Sequence, residues 1–142
     1  MSFVFISYSR KDMLWKERLV DQLTVLEKHG YLETWDDSKI KIGAEWKEEI
    51  VNALNKTTLA IILVSKNFLA SDFIMKDEIS RLLEKKKKEK IRIVPLFIEP
   101  CMWTAIDWLK SLQGIPNDGR YLSELSDHEV EYELTTFSQQ II

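Results

Sequence analysis

Cysteine is nearly missing from this chain: Cys101 stands alone. One thiol builds neither a disulfide framework nor a cysteine-based metal site, and it suits a reducing cytoplasm. Histidine is almost as scarce, and His29 and His128 are too far apart in sequence to suggest ligand spacing. No metal is therefore expected. With only four glycines, the chain has no Gly-x-Gly-x-x-Gly and no P-loop, the usual phosphate cradles. A nucleophile elbow and a Ser/His/Asp set are also missing. No apolar run approaches the ~18–20 residues that a membrane helix needs. Met1-Ser-Phe-Val-Phe-Ile6 enters a strand-like run without the basic leader of a signal peptide. The net charge of −3 gives nucleic acid no electrostatic attraction.

What is present reads as one globular domain over residues 1–142, with 45% apolar and 30% charged residues. Phe3–Ile6 and Leu59–Val64 are short, fully apolar runs, the pattern of strands buried on both faces. Tyr31–Trp35 and Ile91–Ile98 read as two more strands. Pro95 removes a ladder donor, so it belongs near the end of its strand. Gln113–Pro116 is the candidate for a fifth. Helices fall between the strands. One carries Trp15, Leu19, Leu23 and Leu26 on one side and ends at Gly30, with Ser9–Asp12 as a variant capping box. A second has Trp46, Ile50 and Leu54 four apart. Trp103–Leu112 is a third candidate. Ser126, with Glu129 three residues on, opens the last helix, Ser126–Ile142.

Alternating strands and helices with two-sided apolar strands predict an α/β fold: a flavodoxin-like three-layer sandwich. Its sheet is expected to hold five parallel strands in the order 2-1-3-4-5. Ligands in such sheets bind beyond the carboxyl ends of strands 1 and 3, where the order reverses. Those ends fall at Ser7–Asp12 and from Ser65 onward.

One charge breaks an otherwise clean pattern there. On a helix after strand 3, at about 100° per residue, Ile74, Met75, Ile79, Leu82 and Leu83 share one arc, and Glu78 lies inside it. Lys76, Asp77, Ser80, Arg81 and Glu84 take the other side. An inward carboxylate costs stability unless something pairs with it or uses it. Arg81, three residues on, is a possible partner. The acids of a phospho-receiver are missing, because Ser7-Tyr8-Ser9 follows strand 1 and Ser65 follows strand 3. A flavodoxin phosphate loop needs glycine, and Ser7–Asp12 has none.

Four segments occur in register: Phe5-Ile-Ser-Tyr-Ser-Arg-Lys-Asp12, Trp35–Trp46, Ser65–Ile74 with Glu78, and Ile93-Val-Pro-Leu96. Together they resemble a TIR (Toll/interleukin-1 receptor) domain, closest to the bacterial type, over nearly the whole chain. The resemblance implies a flavodoxin-like fold and one of two functions. Some TIR domains only associate with other TIR domains. Others cleave the nicotinamide–ribose bond of NAD+, giving nicotinamide and ADP-ribose or a cyclic form; NAD+ is then substrate and no cofactor is needed. In the enzymes the catalytic glutamate follows a Ser-x-Trp or Ser-x-Phe element, as Glu78 follows Ser71-Asp-Phe73. Where enzyme members often carry tryptophan four residues before that glutamate, this chain has Ile74.

By position, the resemblance makes Tyr8, Ser9 and Arg10 pocket residues, with Arg10 suited to a phosphate. It puts Asp37, Lys39 and Lys41 on a loop that gates the site and joins neighbouring subunits, and Ser71, Phe73 and Ile74 beside the sugar and ring. It further implies self-association, a fused or associated sensor domain, and a role in bacterial defence or signalling. Simpler readings stay open beside these. Ser7 and Ser9 suit backbone caps. Trp15, Trp35 and Trp46 suit core positions, and Lys85–Lys88 suits a solvated helix end.

Overall fold

The computed structural model describes residues 1–142. Four parallel strands, β1 (Ser2–Ser7), β2 (Leu32–Trp35), β3 (Leu59–Val64) and β4 (Arg92–Phe97), form a sheet in the order β2-β1-β3-β4. Between and after them come α1 (Met13–Lys28), α2 (Trp46–Lys56), α3 (Lys66–Ala70), α4 (Ser80–Glu89), α5 (Asp107–Lys110) and α6 (Asp127–Gln140). All six residues of β3 are buried. Leu59, Ile61 and Leu63 pack with Leu19 and Leu23 of α1 and Val130, Leu134 and Phe137 of α6. Ala60, Ile62 and Val64 face the other way, with Ile50 and Leu54 of α2, Phe68 of α3 and Leu82 of α4. The period-2 alternation of a strand thus feeds two cores, and each fully buried Leu or Ile contributes about 1.5–3 kcal/mol. No helix is long and apolar enough to cross a membrane.

The first four positions of the expected order are present, but the fifth strand is reduced to a single bridge between Ile115 and Leu96. Phe97 N–H donates to Ile115 O at 2.8 Å, and Ile115 N–H donates to Pro95 O at 3.0 Å. The pairing stops at that one bridge. Gly114 is wedged on the strand besides: a Cβ at that position would lie 2.4 Å from Pro95 O. Pro95 is the fourth of six residues in β4 rather than near its end. It shares the outward parity of Phe97, so its missing donor falls on the sparsely paired edge, where proline costs little.

The capping box of α6 forms as expected: Glu129 N–H donates to Ser126 Oγ at 3.2 Å and Ser126 N–H to Glu129 Oε1 at 3.0 Å. The one expected at Ser9–Asp12 does not. Ser9 Oγ accepts from Lys11 N–H at 3.4 Å, and the buried Asp12 carboxylate instead accepts the Ser65 hydroxyl at 2.5 Å. In place of the helix expected over Trp103–Leu112 there is a 3-10 turn, Met102–Ala105, and the single turn of α5. Trp103 is held there by Phe97, ring centroids 4.6 Å apart, and by a hydrogen bond to Tyr121 Oη at 3.1 Å.

Candidate functional site

The helix expected around Glu78 is built in pieces. α3 ends at Ala70, Ser71 is extended, and the chain then rewinds through a π-helical turn, Ile74–Ile79, before α4. Ser71 caps the restart, its Oγ accepting Ile74 N–H at 3.2 Å. Wider than an α-turn, π-helical turns are rare and occur frequently at functional sites. Glu78 still faces inward, with 8% of its surface exposed and Ile74, Ile79 and Leu82 buried beside it.

Its partner is not Arg81. The Ser7 hydroxyl, at the end of β1, donates to Glu78 Oε1 at 2.6 Å. Arg81 lines a separate hollow of about 320 Å³ on the far side of Phe73 and Ile50, with Lys47 and Asp77. Burial drives the Glu78 carboxyl up to about 7; the Ser7 hydrogen bond opposes this, while Asp37 and Asp77 add to it. A group so placed is half-ionised near neutral pH.

Glu78 opens on a cleft of about 300 Å³ between the carboxyl ends of β1 and β3, the switch point of the sheet. Tyr8, Ser9 and Arg10 enter it from β1, Asp37 from a short turn after β2, and Ser71, Phe73 and Ile74 from the segment after α3. Asp37 ties two of these together: Tyr8 Oη donates to Oδ1 at 2.7 Å and Arg10 Nε to Oδ2 at 3.0 Å. Burial first, then this bond to Asp37, holds the Tyr8 phenol far above its ordinary range. The Asp37 turn has its own anchor. Asp36 accepts Ser38 N–H at 2.8 Å and pairs with Lys16 Nζ at 3.5 Å, with both side chains buried. That ammonium also lies 5.4 Å from the centre of the Tyr8 ring.

Among the residues expected at the site, Lys39 lies outside the cleft. Its ammonium donates to Thr34 O and lies 3.6 Å from Glu27 Oε1. Trp46 corrects the core reading from the other side. It is 49% exposed, lines the cleft, and packs against Phe73 with ring centroids 5.2 Å apart. Its spacing to Ile50 and Leu54 was legible, but it sits in the first turn of α2, beyond the sheet that would cover it. Ile40 and Ile50 line the cleft as well. Lys16 and Ser7 carried no sequence signal for their pairings, because each meets its partner only through the fold.

Comparison with known proteins agrees with this architecture. The family model described as TIR domain matches residues 4–131, and the chain belongs to that family. It is 31% identical over 127 residues to the uncharacterized protein y4lF of Sinorhizobium fredii (strain NBRC 101917 / NGR234); the match covers 89% of this chain and 39% of that protein. The chain thus spans about two fifths of that relative's length.

Among solved structures, the TIR domains of the activated Roq1 resistosome, which directly recognizes the pathogen effector XopQ, superpose with a TM-score of 0.70 at 18% identity, over 100% of both chains. The TIR domain of the Toll-related receptor TRR-2 from Hydra magnipapillata gives 0.58 at 16% identity, over 97% of this chain and 96% of that one. The RPS4 and RRS1 TIR domain heterodimer gives 0.56 at 15%, over 99% and 97%. At these identities the likeness is one of fold.

Proposed function

We propose that the chain is an NAD+ nucleosidase that breaks the nicotinamide–ribose bond, with Glu78 as its catalytic carboxylate. The observation that carries this reading is a carboxylate buried in an apolar setting, open on a cleft at the switch point, with its acidity moved to about 7. Membership of a family with NAD-cleaving members supports that reaction class.

The chemistry asks little of the protein beyond that carboxylate. The nicotinamide of NAD+ is already cationic, so the C1′–N bond breaks with its electron pair going to the ring, and no general acid is required. C1′ is left oxocarbenium-like. An anion held beside it in a partly dry site stabilises that charge more than water would, as the carboxylates of glycosidases do. Water then adds at C1′ and loses a proton to give ADP-ribose, or an adenine nitrogen adds to close a cyclic product.

Arg10, with only its Nε engaged by Asp37, offers its remaining donors to the diphosphate. Trp46 and Phe73 offer apolar faces to a planar ring. Incubating the concentrated domain with NAD+ and following nicotinamide tests the reading. Release by the wild type that is lost in Glu78→Gln supports it; no release at any protein concentration overturns it.

Assembly is the second reading, favoured by the loop after β2. Ile42 there is fully exposed, and Trp46 is half exposed beside it. Two of the similar solved structures are TIR domains of a resistosome and a TIR domain heterodimer, of RPS4 and RRS1. Self-association through this loop would activate the nucleosidase or, without turnover, would be the whole function of a scaffold in signalling. Self-association that survives Glu78→Gln, with no NAD+ turnover in any assembled state, would favour the scaffold. A sensor domain elsewhere in a longer protein, acting in the cytoplasm in bacterial defence, fits a chain that matches only part of its relative.

A further inference from the structure

The two oxygens of Glu78 are in different situations. Oε1 accepts the Ser7 hydroxyl, the side chain's one hydrogen bond within the protein. Oε2 has no protein partner, yet no unpartnered buried side-chain oxygen is sealed from solvent in this molecule. Oε2 therefore keeps access to the cleft that Glu78 lines.

Ser7 is well placed to fix this arrangement. It is the last residue of β1, it is 1% exposed, and its backbone is in parallel register with Ile62 of β3. Its hydroxyl makes no second bond within the protein. Glu78, by contrast, rides on a π-helical turn, whose ladder is less regular than that of an α-helix. The bond ties that turn to the central sheet across 71 residues of sequence.

We propose that Ser7 is a positioning residue for Glu78: its hydroxyl anchors Oε1 to the sheet, presents Oε2 to the ligand, and favours the ionised carboxylate. This rests on the nucleosidase reading for what the ligand is, but the anchoring itself does not. The groups around Glu78 fit such a role. Asp77 on its own turn and Asp37 from the turn after β2 both oppose ionisation. Tyr8 and Arg10 enter from β1 but are bonded to Asp37, not to Glu78. From α2 come Ile50 and Trp46, neither titratable. Ser7 is thus the one side chain that donates to the carboxylate. A hydrogen bond to a charged group is worth roughly one to two pKa units.

The test is a 13C NMR titration of side-chain-labelled glutamate, with Glu78→Gln identifying the Glu78 signal. Ser7→Ala removes one oxygen and is expected to move the Glu78 midpoint up by about one pH unit or more. Ser7→Cys, a weaker donor of similar shape, is expected to move it the same way by less, and decides the matter if the alanine variant does not fold. A midpoint equal to that of the wild type in either folded variant overturns the proposal.

Nicotinamide release supplies a second readout. Ser7→Ala should regain rate as pH rises past its new midpoint, whereas a packing role would depress the rate equally at every pH. Because the titration uses no NAD+, a shifted midpoint in a protein that never cleaves NAD+ would remove the reaction and keep the anchor.

Discussion

Two serine–carboxylate pairs staple the crevice of this sheet, and they are mirror arrangements. Ser7, ending β1, donates to Glu78 on the segment that follows β3; Ser65, just past β3, donates to Asp12 on the segment that follows β1. The bonds are 2.6 and 2.5 Å long, and both carboxylates are 8% exposed. Only one of them lines the cleft. Ser65 also accepts Phe68 N–H at 3.1 Å and starts α3, so the Asp12 pair is embedded in backbone capping. Burial of a carboxylate therefore does not make a site. A buried carboxylate with one oxygen spent and the other open on a cleft does.

The sharpest way to break this comparison is at Glu78 itself. Glu78→Gln keeps the shape and removes the charge, and is expected to lower nicotinamide release by about 10²–10³ or more. Its thermal stability at neutral pH should hold or rise, because the buried charge is gone.

The same carboxylate should show in the pH dependence of stability. Its folded acidity of about 7 lies above the ordinary 4.5. Between those values the native state therefore binds more protons than the unfolded chain. Stability should fall as pH rises through that window, by about 3 kcal/mol in all, and level off above it. Denaturant unfolding of wild type and Glu78→Gln across pH 4–8 checks this, with the slope missing from the variant.

Asp12 should behave differently. Asp12→Asn is expected to cost about 1–3 kcal/mol of stability by leaving Ser65 poorly matched, with nicotinamide release per folded molecule unchanged. A loss of turnover as deep as that of Glu78→Gln would erase the distinction between the two pairs. The smallest effect belongs to the cleft wall. Trp46→Ala should raise KM for NAD+ by roughly two- to tenfold through the lost ring contact, with kcat changed less.

These differences follow how far each feature could be read from the chain. The strands were legible because β3 and its neighbours are apolar on both faces, and the α6 cap because Ser126 and Glu129 are three residues apart. Glu78 was legible as a charge inside an apolar arc. Its partner was not: a residue 71 positions away leaves no periodic signal, and Arg81 on the same helix was the nearer candidate. Trp46 misread for the opposite reason. Its spacing is that of a core residue, and only the end of the sheet leaves it half exposed. Lys16, charged yet buried with Asp36, and Lys39, turned back to Thr34, show the same limit for long side chains. Their direction is set by tertiary partners and not by local pattern. Where the fifth strand was expected, Gly114 lies tight against Pro95 and only one bridge forms, between Ile115 and Leu96; a close tertiary approach of this kind has no periodic signature.

The most direct test of the central claim is the pH profile of nicotinamide release from NAD+ by the concentrated wild-type domain, set against Glu78→Gln. We expect a rate that rises with pH to a plateau with its midpoint near 7, where Glu78 ionises, and a variant whose residual rate has lost that midpoint. Equal rates for the two proteins across the range would contradict the account.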